Sequence, residues 1–513
     1  MHPPPGSAEE LSRFAELQRR LAPLYERIFP DPRAPRTVVV NPSLSLNPDI
    51  LAKIAGVQHY EERMLCMLML LRLPRTRVVF LSSQPVHPTI LDYYLHLLPG
   101  IPAGHARKRL TLLSADDGSI TPLTQKILER PQLLQHIRRV VDDPASAHMT
   151  CFNATALERT LAVQLGLPLY ACDPALSELG TKTGSRRVFK EAGIEMPPGF
   201  EGLRDEGDMV GALEALKAAQ PHLRHAAVKL NDGTSGEGNA VFSFEGSPRG
   251  NALRGWIERE LPRRLRFEEE TERWEPFRDK FTRMTGVVES WIEADKKRSP
   301  SMQGRIDPLG EVQLVSTHDQ LLGGPSQQIY LGATFPADEA YRFVIQRAGM
   351  RVGEVLKAKG VLGRYGVDFV SVEEGGEWKH YAIEINLRKG GTTHPYLMLQ
   401  FLTDGEYHAE TGLYTTSGGQ VRTYYTSDNL ESPSYKGLTP DDLIDISAYH
   451  SLHFHGAGQQ GVVFHLIGAL SEYGKVGVLC VADSIGAALK QYGHTVEVLN
   501  REARKRQCGD SAD

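Results

Sequence analysis

Between His380 and Pro395 the chain reads HYAIEINLRKGGTTHP, placing an acid at Glu384, an amide at Asn386 and a guanidinium at Arg388. Side chains alternate between the faces of a β-strand, so these three share one face. Tyr381, Ile383, Ile385 and Leu387 are expected on the other, facing a core. The preceding strand, GVDFVS, supplies a second acid, Asp368. Two carboxylates and an amide oxygen form a hard-oxygen set suited to one or two Mg²⁺ ions shared with nucleotide phosphates, and Mn²⁺ suits the same donors. Arg388, just beyond, can hold an anion that develops beside such ions. The set forms only if Asp368 opposes Glu384, and Gly366 opposes Asn386, across the hairpin. A two-residue turn at the glycines would put Asp368 on the wrong face, so an odd-numbered loop around EGGEWK, with a bulge, is expected.

Two further segments carry chemistry. VKLNDGTSGEGN puts Lys229 at a strand end, before a loop containing Gly233, Ser235, Gly236 and Gly238. Successive backbone N–H groups in such a loop wrap phosphate oxygens, and the lysine adds a point charge. VVESWIE ends a strand with acid, aromatic and acid, a segment able to present backbone groups to an adenine while a carboxylate reaches the ribose. Taken singly, each of these reads equally as ordinary structure: solvated acids on a sheet face, a flexible loop, an edge strand. STHDQ, at the end of another strand, makes His318 or Asp319 a candidate substrate contact, with turn formation as the alternative. His450, His453 and His455 have a spacing that invites a metal, but no acid or cysteine completes the set, and edge or loop histidines are the expectation.

The elements that must position these residues follow from periodicity. The first helical stretch ends at PDPRAPR, and short β-branched runs (TVVV, RVVFLSS, RLTLLSA) then alternate with helical ones, which implies parallel βαβ units in an open α/β sheet. No G-x-G-x-x-G follows the first of these strands, so a dinucleotide is not expected there. A capped helix ends at Gly193 before MPPG. The run from about Arg249 to Phe281 is charged and helical, a solvated face or a dimer surface. A hairpin turning at DPLG, a long amphipathic helix and the hairpin of the opening stretch come next. A small α/β unit closes the chain from LTPDDLIDI.

With 513 residues, two to four domains are expected. Hydrophobic residues make up 41% and charged residues 24%, ordinary globular usage. A net charge of -5 gives no reason to expect nucleic acid or an anionic membrane as partner. The apolar run MLCMLMLLRL is too short to span a bilayer. Five dispersed cysteines and no leader-like N-terminus make a soluble, cytoplasmic protein the expectation.

In this order the motifs resemble the ATP-grasp superfamily from about Cys172 to Gly405: a lysine opening the helix in LGTKTGSRRVFKEAGI, Lys229 before the glycine loop, VVESWIEA, and VDF with EIN. STHDQLLGGPSQQIYLGATFP and EINLRKGGTTHPYLMLQFLTDG look most like the pheganomycin-type peptide ligases. The resemblance implies an α/β architecture. Its centre is an ATP-grasp fold, two α+β subdomains gripping ATP, at about 176–428, with a lid at about 192–288 and a metal-site subdomain at about 289–428. A pre-ATP-grasp α/β domain (1–175) precedes it and a C-terminal α/β unit (429–513) follows. It further implies Lys182 and Lys229 on ATP phosphates, with Lys190 or Arg186 rivals to Lys182. Gly233, Ser235 and Gly236 belong to the phosphate loop. Glu289, Trp291 and Ile292 line the adenine, with Glu293 or Asp295 at the ribose. Asp368, Glu384 and Asn386 hold Mg²⁺, and Lys229 and Arg388 act in catalysis. Some members carry an arginine where this chain has Gly366, a role left to Arg388 or Arg364. The implied reaction joins a small-molecule or peptide carboxylate to an amine through an acyl phosphate. The alternatives are an ATP-binding module without turnover, a carboxylate–thiol ligase, or a kinase ending at the acyl phosphate.

Overall fold

The computed structural model describes residues 2–233, 238–269, 271–323 and 329–509. Four parallel strands, β1 (Arg36–Asn41), β2 (Thr76–Ser82), β3 (Leu110–Ser114) and β4 (Ala147–Cys151), form an N-terminal sheet in the order β3-β2-β1-β4. Helices cover both faces, so β1 is buried throughout: Val38 and Val40 enter one core and Val39 another. β4 was not foreseen, because AHMTC is too short and mixed to show a period. The segment around MLCMLMLLRL is buried as expected, but Val57–Arg72 winds as a 3₁₀ helix.

A second sheet, antiparallel, has the order β5-β9-β6-β7-β8, from β5 (Gly199–Leu203), β6 (His225–Leu230), β7 (Asn239–Ser243), β8 (Leu265–Phe267) and β9 (Gly286–Ser290). The charged run therefore holds a strand, β8, between the helices Ala252–Arg264 and Trp274–Met284. Phe242, Ile257, Phe277 and Val288 pack this unit into a core of its own.

The largest sheet has eight antiparallel strands in the order β14-β13-β10-β11-β12-β17-β19-β18. They are β10 (Lys297–Ile306), β11 (Val312–Gly323), β12 (Ile329–Phe335), β13 (Gly363–Glu374), β14 (Glu377–Asn386), β17 (Thr423–Glu431), β18 (Gly461–His465) and β19 (Lys475–Ala482), with a small β15 (Glu406–His408)/β16 (Leu413–Thr415) hairpin alongside. The C-terminal segment thus adds two strands to the central sheet, and position 428 falls inside β17. One core joins Leu65 and Phe80 near the N-terminus to Tyr396, Val463 and Leu479.

Among the described residues no helix is long and apolar enough to cross a membrane.

Candidate active site

The β13–β14 hairpin sets the geometry. Gly375 and Gly376, at φ 63° and 87°, form a two-residue turn of the kind only glycine adopts readily, and Glu374 faces Glu377 across it. The odd-numbered loop expected from sequence is absent. Its effect is supplied further along, where the register shifts between Asp368 and Phe369. Phe369 pairs with Ala382 and Asp368 with Glu384, leaving Ile383 as the extra residue of a bulge. Asp368 therefore opposes Glu384 and Gly366 opposes Asn386, as the chemistry requires. The bulge also corrects the expected faces: Ala382 and Ile385 are in the core, whereas Ile383 turns with Glu384 into a cleft.

That cleft is a cavity of about 690 Å³, bordered by Lys182, Lys229, Gly233, Asp368, Glu384, Asn386 and Arg388. Six residues scattered over two hundred positions of chain thus meet with the first glycine of the loop. Ser235 and Gly236 lie outside the described residues. Lys182 is the first residue of the helix Lys182–Ala192, whose N-terminus Thr181 caps by accepting a bond from the Gly184 N–H. Its Nζ is 2.5 Å from Glu384 Oε1. Arg186, one turn on, donates to Glu289 at 3.0 Å and to Glu201 at 3.1 Å, and Lys190 pairs with Glu201. Neither borders the cavity, so Lys182 is the helix's cation at the cleft. Lys229 Nζ lies 2.5 Å from Glu289 Oε1, a diagonal pair across β6 and β9.

Asp368 accepts from Asn386 Nδ2 at 2.8 Å and from Gln320 Nε2 at 2.7 Å. Burial, then the neighbouring Glu384 charge, pushes its carboxyl up to about 7. Burial also raises Glu384, but Lys182, Arg388 and Lys229 outweigh it and hold that carboxyl below its ordinary range. Two carboxylates face to face, one of them reluctant to ionise, with an amide beside them, are the donor chemistry a divalent cation relieves, so the residues fit Mg²⁺.

Other sequence candidates lie elsewhere. Glu289 carries Lys229 and Arg186, and Glu293 pairs with Arg224 and, at 2.5 Å, with His225. Lys297 Nζ sits 4.6 Å above the Trp291 ring and donates to the Ile292 carbonyl at 3.4 Å. None of Glu289, Trp291, Ile292 or Glu293 borders the cavity. His318 is buried beneath Phe335 and Tyr424 and shares a 2.7 Å bond with the Tyr424 hydroxyl. Asp319 accepts from the Tyr341 hydroxyl at 2.6 Å on the opposite face. The residue of STHDQ at the cleft is Gln320, whose parity with His318 was the available signal. His450 is held by Glu502 at 3.0 Å, and His453 and His455 make isolated strand bridges.

Sequence reasoning missed a buried cluster at the edge of the cleft. Asp428 on β17 meets Arg63 at 2.5 Å, His465 at 2.6 Å and His394 at 3.4 Å. Donor atoms of His394, Asp428 and His465 lie within 4.8 Å of one another, but Arg63 already balances the carboxylate.

A family model described as IQCH-like, ATP-grasp matches residues 174–246 and 256–410, and one described as PGM1 C-terminal domain matches 442–495. The L-propargylglycine--L-glutamate ligase of Streptantibioticus cattleyicolor is 33% identical over 450 residues, 86% of this chain and 89% of its own. The IQ motif-containing protein H of Danio rerio is 22% identical, and the alignment covers 96% of this chain but 51% of that longer protein. Among solved structures, the biotin carboxylase domain dimer of Hydrogenobacter thermophilus 2-oxoglutarate carboxylase, in complex with MgADP, shares the fold. Its TM-score is 0.51 at 11% identity, over 87% of this chain and 86% of that one.

Proposed function

Because this chain belongs to the ATP-grasp family, we propose that the cavity between Lys182, Lys229 and the Asp368–Glu384 pair is where it works as an ATP-dependent carboxylate–amine ligase of the peptide-forming type. The observation that carries this is the convergence of both lysines, both acids, Asn386 and Arg388 on one cavity. A module that only bound nucleotide would have no use for the guanidinium beyond the acids.

The reaction balances with no side-chain nucleophile. A carboxylate oxygen of the acid attacks the γ-phosphorus of ATP, and the bond to the bridging oxygen breaks with its electron pair leaving on ADP. The amine nitrogen then attacks the acyl carbon, the C–O bond to phosphate breaks, inorganic phosphate departs, and the surplus amine proton passes to solvent. Lys229 and Lys182 hold phosphate oxygens as point charges, backed by Glu289 and Glu384 respectively. Gly233, the described start of the glycine-rich stretch, borders the cavity and is assigned to the phosphates. The segment from Glu289 to Ile292, outside the border of this cavity, is assigned to the adenine, and Glu293 or Asp295 to the ribose. Mg²⁺, held by Asp368, Glu384 and Asn386, would neutralise charge on the transferring phosphoryl group. Arg388 steadies the oxyanion at the acyl carbon. The relative's name points to amino acids as acid and amine.

The test is a screen of amino acids and short peptides as acid–amine pairs, scored by ADP release and product mass. Amide formed in step with ADP is expected. Equal ADP release without any amine would leave a kinase or ATPase in its place.

A further inference from the structure

Beyond Arg388 lies a second cavity, of about 430 Å³, between the N-terminal unit and the sheet that carries the acids. Arg388 and Phe152 border both cavities, so the two meet there. Five cations face the second one: Arg36, Arg305, Arg364, Arg388 and Lys389. Among the described residues no acid lines it, and much of the remaining wall is apolar, from side chains such as Ile28, Met67 and Leu397.

Among the described residues the hydrogen-bond acceptors of these cations are neutral, although Arg388 also feels the charges of Glu384 and Asp368 across the first cavity. Arg36 donates to the carbonyls of Asp31 and Ala34, and Arg305 to the Gln313 amide oxygen. Lys389 donates to Thr150 Oγ1 and the Cys151 carbonyl, and Arg388 to the Lys389 carbonyl. Among the described residues the Arg364 guanidinium donates no hydrogen bond and forms no ion pair with an acid, and the residue is among those bordering this cavity. The nearby Tyr170 hydroxyl and His148 Nδ1 are also without partners. A half-buried guanidinium turned to a cavity without a counter-charge is unfavourable unless something anionic compensates it. Like charges gathered round a low-dielectric cavity also make its potential strongly positive.

We propose that this cavity binds the non-reacting carboxylate of an apolar amino-acid-like or peptide-like substrate, and that Arg364 is the residue that selects it. The role as a substrate pocket rests on the ligase reading above, whereas the binding of an apolar carboxylate does not. The planar guanidinium receives the carboxylate through two donors. Arg305 and Lys389 add charge, and the apolar wall takes the side chain. The reacting end then reaches Arg388, where the cavities meet.

Calorimetry with N-acetyl-L-phenylalanine and N-acetyl-L-leucine, each against its carboxamide, tests the site directly. The acids are expected to bind and the amides to bind at least about tenfold more weakly, since a charge-assisted bond is lost. Arg364→Gln should weaken the acids by about tenfold to a hundredfold and leave MgADP affinity unchanged. Its thermal midpoint should hold or rise, because an uncompensated cation has been removed. If circular dichroism shows that variant unfolded, Arg305→Gln makes the same comparison. Acids and amides binding alike, no binding by either, or full acid affinity in the folded variant would overturn the proposal. Acid binding with no ADP release from any acid–amine pair would leave the site standing and remove the ligase. Once an active pair is known, the substrate whose KM rises in Arg364→Gln is the one seated here.

Discussion

Arg388 stands between the two cavities, with Asp368 and Glu384 on one side and Arg364 and Lys389 on the other. Burial lowers its pKa, and the charges of Glu384 and Asp368 oppose that, so it is held as a cation beside the two acids. Removing one preorganised donor from a developing oxyanion raises the barrier by about 3–4 kcal/mol. Arg388→Ala should therefore lower amide formation by roughly a hundred- to thousandfold while leaving ATP affinity, read by calorimetry, near the parent value. Lysine should rescue poorly, because a point charge does not reproduce a two-donor fork. Full amide formation in the alanine variant would pass the role to Arg364.

The element that delivers Lys182 is a short helix pressed onto the preceding turn. A Cβ at Gly184 would lie 1.9 Å from the Glu178 carbonyl oxygen and 2.9 Å from the Leu179 Cα. Those are backbone atoms, so the helix itself would have to move, and Lys182 sits two residues before the clash. Gly184→Ala should destabilise by about 1–3 kcal/mol and weaken ATP binding without touching any group in the cleft. Thermal denaturation and calorimetry on one preparation would show both effects. Unchanged ATP affinity would mean that Lys182 is not placed by this contact. The hairpin bulge at Ile383 is the corresponding device on the other side of the cleft, turning two consecutive side chains to one face.

Over the whole molecule, the Asp428 cluster ties the N-terminal unit (Arg63), the central sheet (Asp428), the helix after the acidic strand (His394) and the last segment (His465). Burial, with His465 and despite Asp428, brings His394 down to about 4 from its ordinary 6.5. The folded state thus favours neutral imidazole. Its contribution is complete above pH 6.5 and is lost as pH falls towards 4, because the unfolded chain takes up the proton first. At pH 5 that loss is about 2 kcal/mol. In His394→Gln the fall in thermal midpoint between pH 7 and pH 5 should be smaller than in the parent. An equal fall in both would show that His394 titrates alike folded and unfolded.

Residue types and their spacing settled the acidic strand, the lysines and the order of the motifs, because alternation along a strand and capping of a helix are local properties. The opposition of Asp368 and Glu384 was legible too, since only that pairing makes a donor set. Where the bulge lies was not, because turn and ladder compensate each other and only the packed sheet chooses between them. Whether Arg186 or Lys182 reached the cleft depended on Glu201 and Glu289, acids on other strands. The merging of the first and last segments into one core, the Asp428 cluster and the cation-lined cavity arise from contacts across hundreds of residues. No local period records such contacts, and only the tertiary structure decided them.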